Sequence, residues 1–504
     1  MSIKRKILIA AIVGITFGVS SCKKYLNVNT NPNVSQTATL KTLLPGAELY
    51  VGTGLGVDLQ INGGFWAQYW TQSPNASQYR LLEEYAPGQD VAFLTAWSNL
   101  YAGAENFYQL GILAEAQKAK QYKAISLLMQ AYTFQLLTDG WGDVPFKQAL
   151  KGAYGKDSLN SHITNPKYDS QRVVYNGILS YIDSANNLIN PNDAVLPSAD
   201  DLIYGGDMAK WQKFAYTLKL RVLLRLSQID PAGAQAGIVA LYAVPGVAFI
   251  GTGDDAAIAY GFNTANKSPL YAEESGLGGV QNLVASATCV NAMSSNNDPR
   301  LNVFYELGSA GTFVGLPQGD YNSSVTTYSL PSTYVAGDAQ TSASAKAPVN
   351  LLTSYESLFL QAEVAARGWV TGDDASLFNS AIQANFLYYD KALTATTGSG
   401  GAASFTSYMA GGGPWTVYPT TGTLTQKLSF IITQKWFAMC GNQCFEAWCE
   451  WRRTGYPNFF TYSKNSLIGN QFPKRFLYPT SESTANANFP GLAPLTSNVW
   501  WETL

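Results

Sequence analysis

Histidine is almost missing from this chain: among 504 residues there is one, His162. A lone imidazole cannot build a His-rich metal site or the paired histidines of a zinc protease. It stands in a polar stretch ahead of Pro166, where a solvated loop residue is expected. Charge is scarce as well. Asp, Glu, Lys and Arg make up 13% of the chain and the net charge is -2, against a charged fraction of roughly 25% in ordinary soluble proteins. Beyond the extreme N-terminus no run of Lys or Arg occurs, so the basic footprint of a nucleic-acid-binding protein is missing and nucleic acid is discarded as a partner. No apolar stretch reaches the roughly 20 residues needed to cross a bilayer. With 46% hydrophobic residues over 504 positions, the chain reads as globular with a substantial core. Length alone suggests roughly three domains.

What is present begins with the N-terminus. Lys4, Arg5 and Lys6 precede an apolar run from Ile7 to Val19, which closes in Val19-Ser20-Ser21-Cys22. A short charged-then-apolar segment with a small-residue cleavage site is an export signal rather than a membrane anchor. The Val-Ser-Ser-Cys ending resembles the bacterial lipobox, which implies removal of residues 1–21 and lipidation of Cys22. Each buried methylene contributes about 0.8 kcal/mol, so several acyl chains together hold a protein on a membrane almost permanently. Residues 22–38 are polar, Asn-rich and Pro-containing, the composition of a flexible tether, and residues 39–504 remain as the folded body.

Within that body the text is mainly helical. Leu94, Trp97, Tyr101, Ala104, Tyr108 and Ile112 recur at three- and four-residue steps, and Ile125, Leu128, Tyr132 and Leu136 repeat the pattern after a polar break near Lys118–Tyr122. The two predict an antiparallel helix pair, stopped by Asp139-Gly140-Trp141-Gly142-Asp143-Val144-Pro145. Trp211 to Arg225, and Tyr355 to Ala366 with a partner over 374–390, read the same way. No clean 34-residue period emerges, so degenerate helix-pair repeats describe the chain best. Two stretches, 261–347 and 394–422, turn to Gly, Ser, Thr and Asn with scattered aromatics, and are expected to be long ordered loops with short strands that carry a ligand surface.

Several residues invite a chemical role. Glu446 and Glu450 lie four apart on a predicted helix beside Arg452 and Arg453; they suit a glycosidase carboxylate pair or, more plainly, a salt-bridged helix end. Cys440, Cys444 and Cys449 lack paired C-x-x-C spacing, which disfavours zinc and leaves buried thiols or a disulfide, with Cys289 a fourth candidate. Asp139 and Asp143 lack EF-hand spacing and read as turn and capping residues. Aromatic rings matter most, because the flat C–H faces of sugars stack on Trp and Tyr while Asn, Asp and Gln bond their hydroxyls. Candidate platforms are Trp66, Tyr69, Trp70, Tyr79, Tyr271 and Trp415. Against this, Trp66 and Trp70 stand one helical turn apart and suit a buried stripe, whereas Trp415, behind three glycines and a proline, is best placed for exposure.

The segment Gln434-Lys435-Trp436-Phe437-Ala438, with Glu446-Ala447-Trp448 and Glu450-Trp451-Arg452-Arg453-Thr454-Gly455-Tyr456-Pro457, resembles the signature of SusD/RagB-type nutrient-binding lipoproteins. Asp139 to Phe146, Asp298-Pro299-Arg300-Leu301, and Pro473 to Pro479 with Glu482 match the same family in order, as does the opening from Lys23 to Asn33. The resemblance spans nearly the whole mature chain. It implies one mostly α domain, a tetratricopeptide-like scaffold of helix pairs with long irregular insertions and short strands, in place of three domains. It also implies a non-catalytic, cofactor-free protein on the outer membrane, an oligosaccharide or peptide ligand, and a SusC-like TonB-dependent barrel as partner. Two other readings are an exported hydrolase using the carboxylates and a helical scaffold binding only other proteins.

Overall fold

A computed structural model of the protein describes residues 38–152, 163–190, 192–262 and 266–504. The export signal, Cys22 and His162 lie outside the described residues. Helices dominate, and the strands run only two to four residues. Leu40–Gly54 packs on Leu94–Ala116, which pairs with Lys120–Trp141, and that helix in turn meets Gln171–Asn186. Met208–Arg225 pairs with Pro231–Tyr242, and Ser354–Ala366 with Asp374–Tyr388. The expected helix pairs are therefore present. One contiguous buried cluster extends from Leu40 to Trp501.

Local chemistry explains where the helices begin. Asp207 accepts from the backbone N–H groups of Ala209 and Lys210, and Asp230 caps its helix at Gly233 with Pro231 in the first turn. Thr353 and Asp373 cap the next pair, and Thr423 forms a reciprocal capping box with Gln426. Between Leu40–Gly54 and Gln60–Trp66 the helix widens into a π segment over Leu55–Leu59. Close approach accounts for Gly63: a Cβ there would lie 2.3 Å from the Phe445 backbone nitrogen, so this glycine lets helix Gln60–Trp66 touch helix Cys444–Thr454.

Three expectations change. The helix beginning at Lys120 does not stop at Asp139 but continues to Trp141, which makes Asp139 a buried helical residue rather than a turn residue. It accepts from Tyr175 Oη and Trp501 Nε1 and faces Arg225. The stretch 394–422 is not a long loop: Asp390–Thr397 and Gly401–Ala410 are helices, the second held by Phe405 and Tyr408 against Phe386. Tertiary packing outweighs the poor helix propensity of its Gly, Ser and Thr. The 261–347 stretch is mixed, with helices Pro269–Gly276 and Ala287–Ser295 and a strand Leu283–Ala285 that pairs antiparallel with Trp70–Gln72.

Candidate functional site

Four of the six aromatic candidates are core residues. Trp66 is 3% exposed and sits among Phe93, Trp448 and Phe476, with centroids 5.0–6.0 Å away. Tyr69 stacks on Trp436 at 5.1 Å and donates its hydroxyl to the Trp436 carbonyl. Trp70 opens the buried strand Trp70–Gln72, so it does not share a helical stripe with Trp66, whose helix ends there. Tyr271 is buried within helix Pro269–Gly276. Each ring covers more apolar surface in the core than it would on a loop, which decides its place.

Tyr79 and Trp415 remain partly open, each at a concavity. The one beside Tyr79 is small, about 70 Å³, and is lined by Asp58, Asn62, Glu273 and apolar neighbours. Ligand pockets usually measure roughly 300–1,000 Å³, so it admits little beyond a few waters. The Tyr79 hydroxyl donates to Glu274 at 2.5 Å. Burial pushes the Asp58 and Glu274 carboxyls up to about 7.

The cleft beside Trp415 is of ligand size, about 590 Å³. Its long wall is one face of helix Ala287–Ser295: Thr288, Asn291, Ala292 and Ser295 recur at helical spacing, while Cys289, Val290 and Met293 turn into the core. Ser286 caps this helix by accepting from Thr288 N–H. Opposite stand Trp415, Phe459 and Thr461, with Pro317 at the side. The Trp415 backbone is pinned, its N–H donating to Asn296 Oδ1 at 3.0 Å and its carbonyl accepting from Gln434 Nε2 at 2.9 Å. Its ring leans on Phe430 and Phe459, with centroids at 5.2 and 6.3 Å. The Asn291 amide, the Thr461 hydroxyl and the Trp415 indole N–H have no partner among the described residues.

Gln68, outside the lining, ties Thr288 to Thr461. It is 1% exposed and lies in the left-handed region at φ 59°. Its Oε1 accepts from Thr288 Oγ1 at 2.7 Å and from the Thr461 N–H at 3.1 Å, and its Nε2 donates to the Thr461 carbonyl at 2.6 Å. Sequence reading passed over Gln68, Phe459 and the 287–295 helix face. Only that face had a legible signal, in its polar residues at three- and four-residue steps.

The two glutamates singled out as a catalytic pair are enclosed. Glu446 and Glu450 are 5% and 3% exposed, and Arg225 contacts both. Arg221 reaches Glu446, and Arg453 and Lys435 reach Glu450. Burial raises the Glu450 carboxyl, but Arg453, Lys435 and Arg225 outweigh it and hold the group well below the usual carboxylate range. These groups therefore tie helices together rather than face a glycan, and the salt-bridged helix end is a buried network. Asp139, Glu446 and Cys449 offer donor atoms within 4.8 Å of one another, yet Arg225 pairs with both carboxylates and already supplies the positive charge a metal would bring. The four described cysteines are buried free thiols, with Cys289 Sγ and Cys440 Sγ 3.8 Å apart.

The motif arginines are clamps too. Arg300 bonds Asp298, Asn385 and Gln434, and Arg453 grips Glu363 with two bonds of 2.6 Å. Arg452 donates to the carbonyls of Asp139 and Lys474 while lying 3.5 Å over the Trp448 ring.

No curated protein matches the chain. Solved structures do. A chitin-binding protein is 24% identical, with 91% of this chain and 100% of that one covered at a TM-score of 0.73. A chitin-binding SusD homolog from Flavobacterium johnsoniae is 22% identical over 91% and 98% at 0.73. A SusD/RagB family protein from Bacteroides thetaiotaomicron is 20% identical over 93% and 99% at 0.74. At these identities the likeness establishes the fold. The family model described as starch-binding and associating with the outer membrane matches residues 32–479, and with that the chain belongs to the SusD-like family.

Proposed function

We propose that this protein is a non-catalytic, lipid-anchored receptor that captures oligosaccharides in the Trp415 cleft and passes them to a SusC-like TonB-dependent barrel. The observation that carries the reading is the pairing, in one cleft of about 590 Å³, of a half-open Trp415 ring with the Asn291 amide and Thr461 hydroxyl, which have no partner among the described residues. A flat ring takes the C–H face of a sugar, and hydroxyls and amides take its edges. The family's outer-membrane description and the chitin-binding relatives support the same class of ligand and place of action. No helix among the described residues is long and apolar enough to cross a membrane; the lipobox-like Val19-Ser20-Ser21-Cys22 supports Cys22 as the point of attachment.

Calorimetric titration of the body, residues 39–504, with neutral oligosaccharides chosen from a glycan array tests the binding step. The Trp415→Ala variant should bind at least about tenfold more weakly, as expected for a central aromatic anchor. Unchanged affinity would remove the cleft from the reading, and a silent glycan array with a positive peptide pull-down would replace oligosaccharide by peptide. Product formation from any glycan would overturn the non-catalytic assignment. Cys22→Ala should release a folded protein from the membrane fraction, and copurification with the barrel tests the partnership.

A further inference from the structure

The lining of the Trp415 cleft is polar and apolar but uncharged. Thr288, Asn291, Ser295 and Thr461 supply its polar atoms, and among the described residues none of its lining side chains is ionisable. The smaller pocket at Tyr79 has Asp58 and Glu273 in its wall, and the groove at Trp500 has Asp143 and Arg475. The rest of the Trp415 lining is apolar: Ala287, Ala292, Pro317, Phe459 and the indole itself. A sugar ring that settles on this surface gives up part of its hydration. Hydroxyl and amide groups find replacements in Asn291, Thr461 and the indole N–H. An ammonium or carboxylate finds no counter-charge, and an ion desolvated without a partner is strongly disfavoured.

From this we infer that the cleft selects uncharged glycan segments and discriminates against the same sugars carrying an amine or a carboxylate. The inference rests on the oligosaccharide reading above and adds the class of sugar to it. Asn291 is the residue through which the selection can be rewritten, because its amide lies on the exposed face of helix Ala287–Ser295 with no partner among the described residues. A carboxylate there would supply the missing counter-charge for a cationic sugar.

The test uses matched pairs on the body, residues 39–504: oligomers of N-acetylglucosamine against their de-N-acetylated, cationic forms, and oligomers of glucose against those of glucuronate. Isothermal titration should give at least one neutral member with measurable affinity. Its charged counterpart should bind about tenfold or more weakly, as unpaired burial of an ion demands, and the neutral affinity should not change between low and high salt. Asn291→Asp should raise affinity for the cationic oligomer, with that gain lost at high salt. Equal or tighter binding of a charged form to the wild-type protein overturns the inference while leaving the oligosaccharide reading standing. Failure of Asn291→Asp to gain any cation affinity likewise counts against it. If Trp415→Ala leaves the neutral affinity intact, the sugar binds outside this cleft and the inference fails while oligosaccharide binding stands; if none of the four oligomers binds, the oligosaccharide reading fails and this inference with it.

Discussion

Gln68 gives the sharpest test of how the cleft is held. Its side chain makes three hydrogen bonds, to Thr288 Oγ1 on one wall and to the Thr461 N–H and carbonyl on the other. Replacing it by Leu keeps the approximate volume and removes all three bonds. The backbone conformation at φ 59° is common to both proteins, so its strain cancels in the difference. Each lost bond costs about 1 kcal/mol, or about 3 kcal/mol in all if no water takes its place. Thr461 is exposed and Thr288 half-buried, so water recovers part of this and a net loss of about 2 kcal/mol is expected. Loosened walls must then be ordered again on binding, at about 1 kcal/mol, a roughly fivefold loss of affinity. Gln68→Glu keeps both accepted bonds but sets a carboxylate against the Thr461 carbonyl, and should fall between wild type and Gln68→Leu. Urea unfolding reads stability, and titration with a neutral oligosaccharide under fully native conditions reads affinity. A Gln68→Leu protein with wild-type midpoint and wild-type affinity would refute the reasoning.

Other expectations follow from the core and its charges. Gly63→Ala forces a methyl into the Cys444–Phe445 backbone and should cost at least about 3 kcal/mol, the upper end for overpacking, because backbone cannot rotate aside as a side chain does; a neutral result in urea unfolding would mean that the two helices separate freely. Arg453→Met leaves Glu363 to Arg367 alone and Glu450 to Arg225 and Lys435, so the loss of its buried charge and bonds should destabilise by about 3 kcal/mol, the lower end for breaking a buried pair, while leaving glycan affinity of the folded fraction unchanged. Stability should also depend on pH in a stated sense. Burial lifts Asp58 from 3.8, and Glu83 and Glu274 from 4.5, to about 7 in the folded protein. Between those values the native state holds protons that the unfolded chain has released, so stability falls as pH rises from about 4.5 to about 7. Glu450, held low by its basic neighbours after burial is offset, contributes stability above the ordinary carboxylate range that is lost as pH falls through its folded value. The melting temperature should therefore peak near pH 4.5, where the two trends meet, and a steady rise from pH 5 to 7.5 would contradict this.

Periodicity made the scaffold legible. Trp211, Phe214, Leu218 and Val222 are all buried on one helix, as their spacing implies, and the same holds for Ile125, Leu128, Tyr132 and Leu136. Spacing fails where two structures share it. Trp66 and Trp70 stand four apart, yet one ends a helix and the other begins a strand, and both are buried. Composition fails where packing supplies what propensity withholds, as in Gly401–Ala410. The cleft was largely illegible for a third reason. Two of its lining residues, Thr288 and Thr461, are tied together by Gln68, which stands 220 and 393 residues from them along the chain and meets them only through folding. A buried glutamine between aromatic residues carries no local sign of that role.

The motifs that reveal the family and the side chains that would meet a ligand are different residues, and the structure links them through one layer. Arg300, held by Asp298, donates to Gln434 Oε1, and Gln434 Nε2 donates to the Trp415 carbonyl. Asn296, two residues before Asp298, accepts from the Trp415 N–H. The motif residues thus fix the backbone from which the Trp415 ring projects, while the ring and the 287–295 face lie outside every motif. A buried charged clamp tolerates little change, since removing one partner leaves an unpaired ion inside. An exposed polar face tolerates much, since most surface substitutions change stability by less than about 0.5 kcal/mol. Ligand preference can therefore drift over a scaffold that stays put, which is why membership of the family specifies this fold far more tightly than it specifies the ligand.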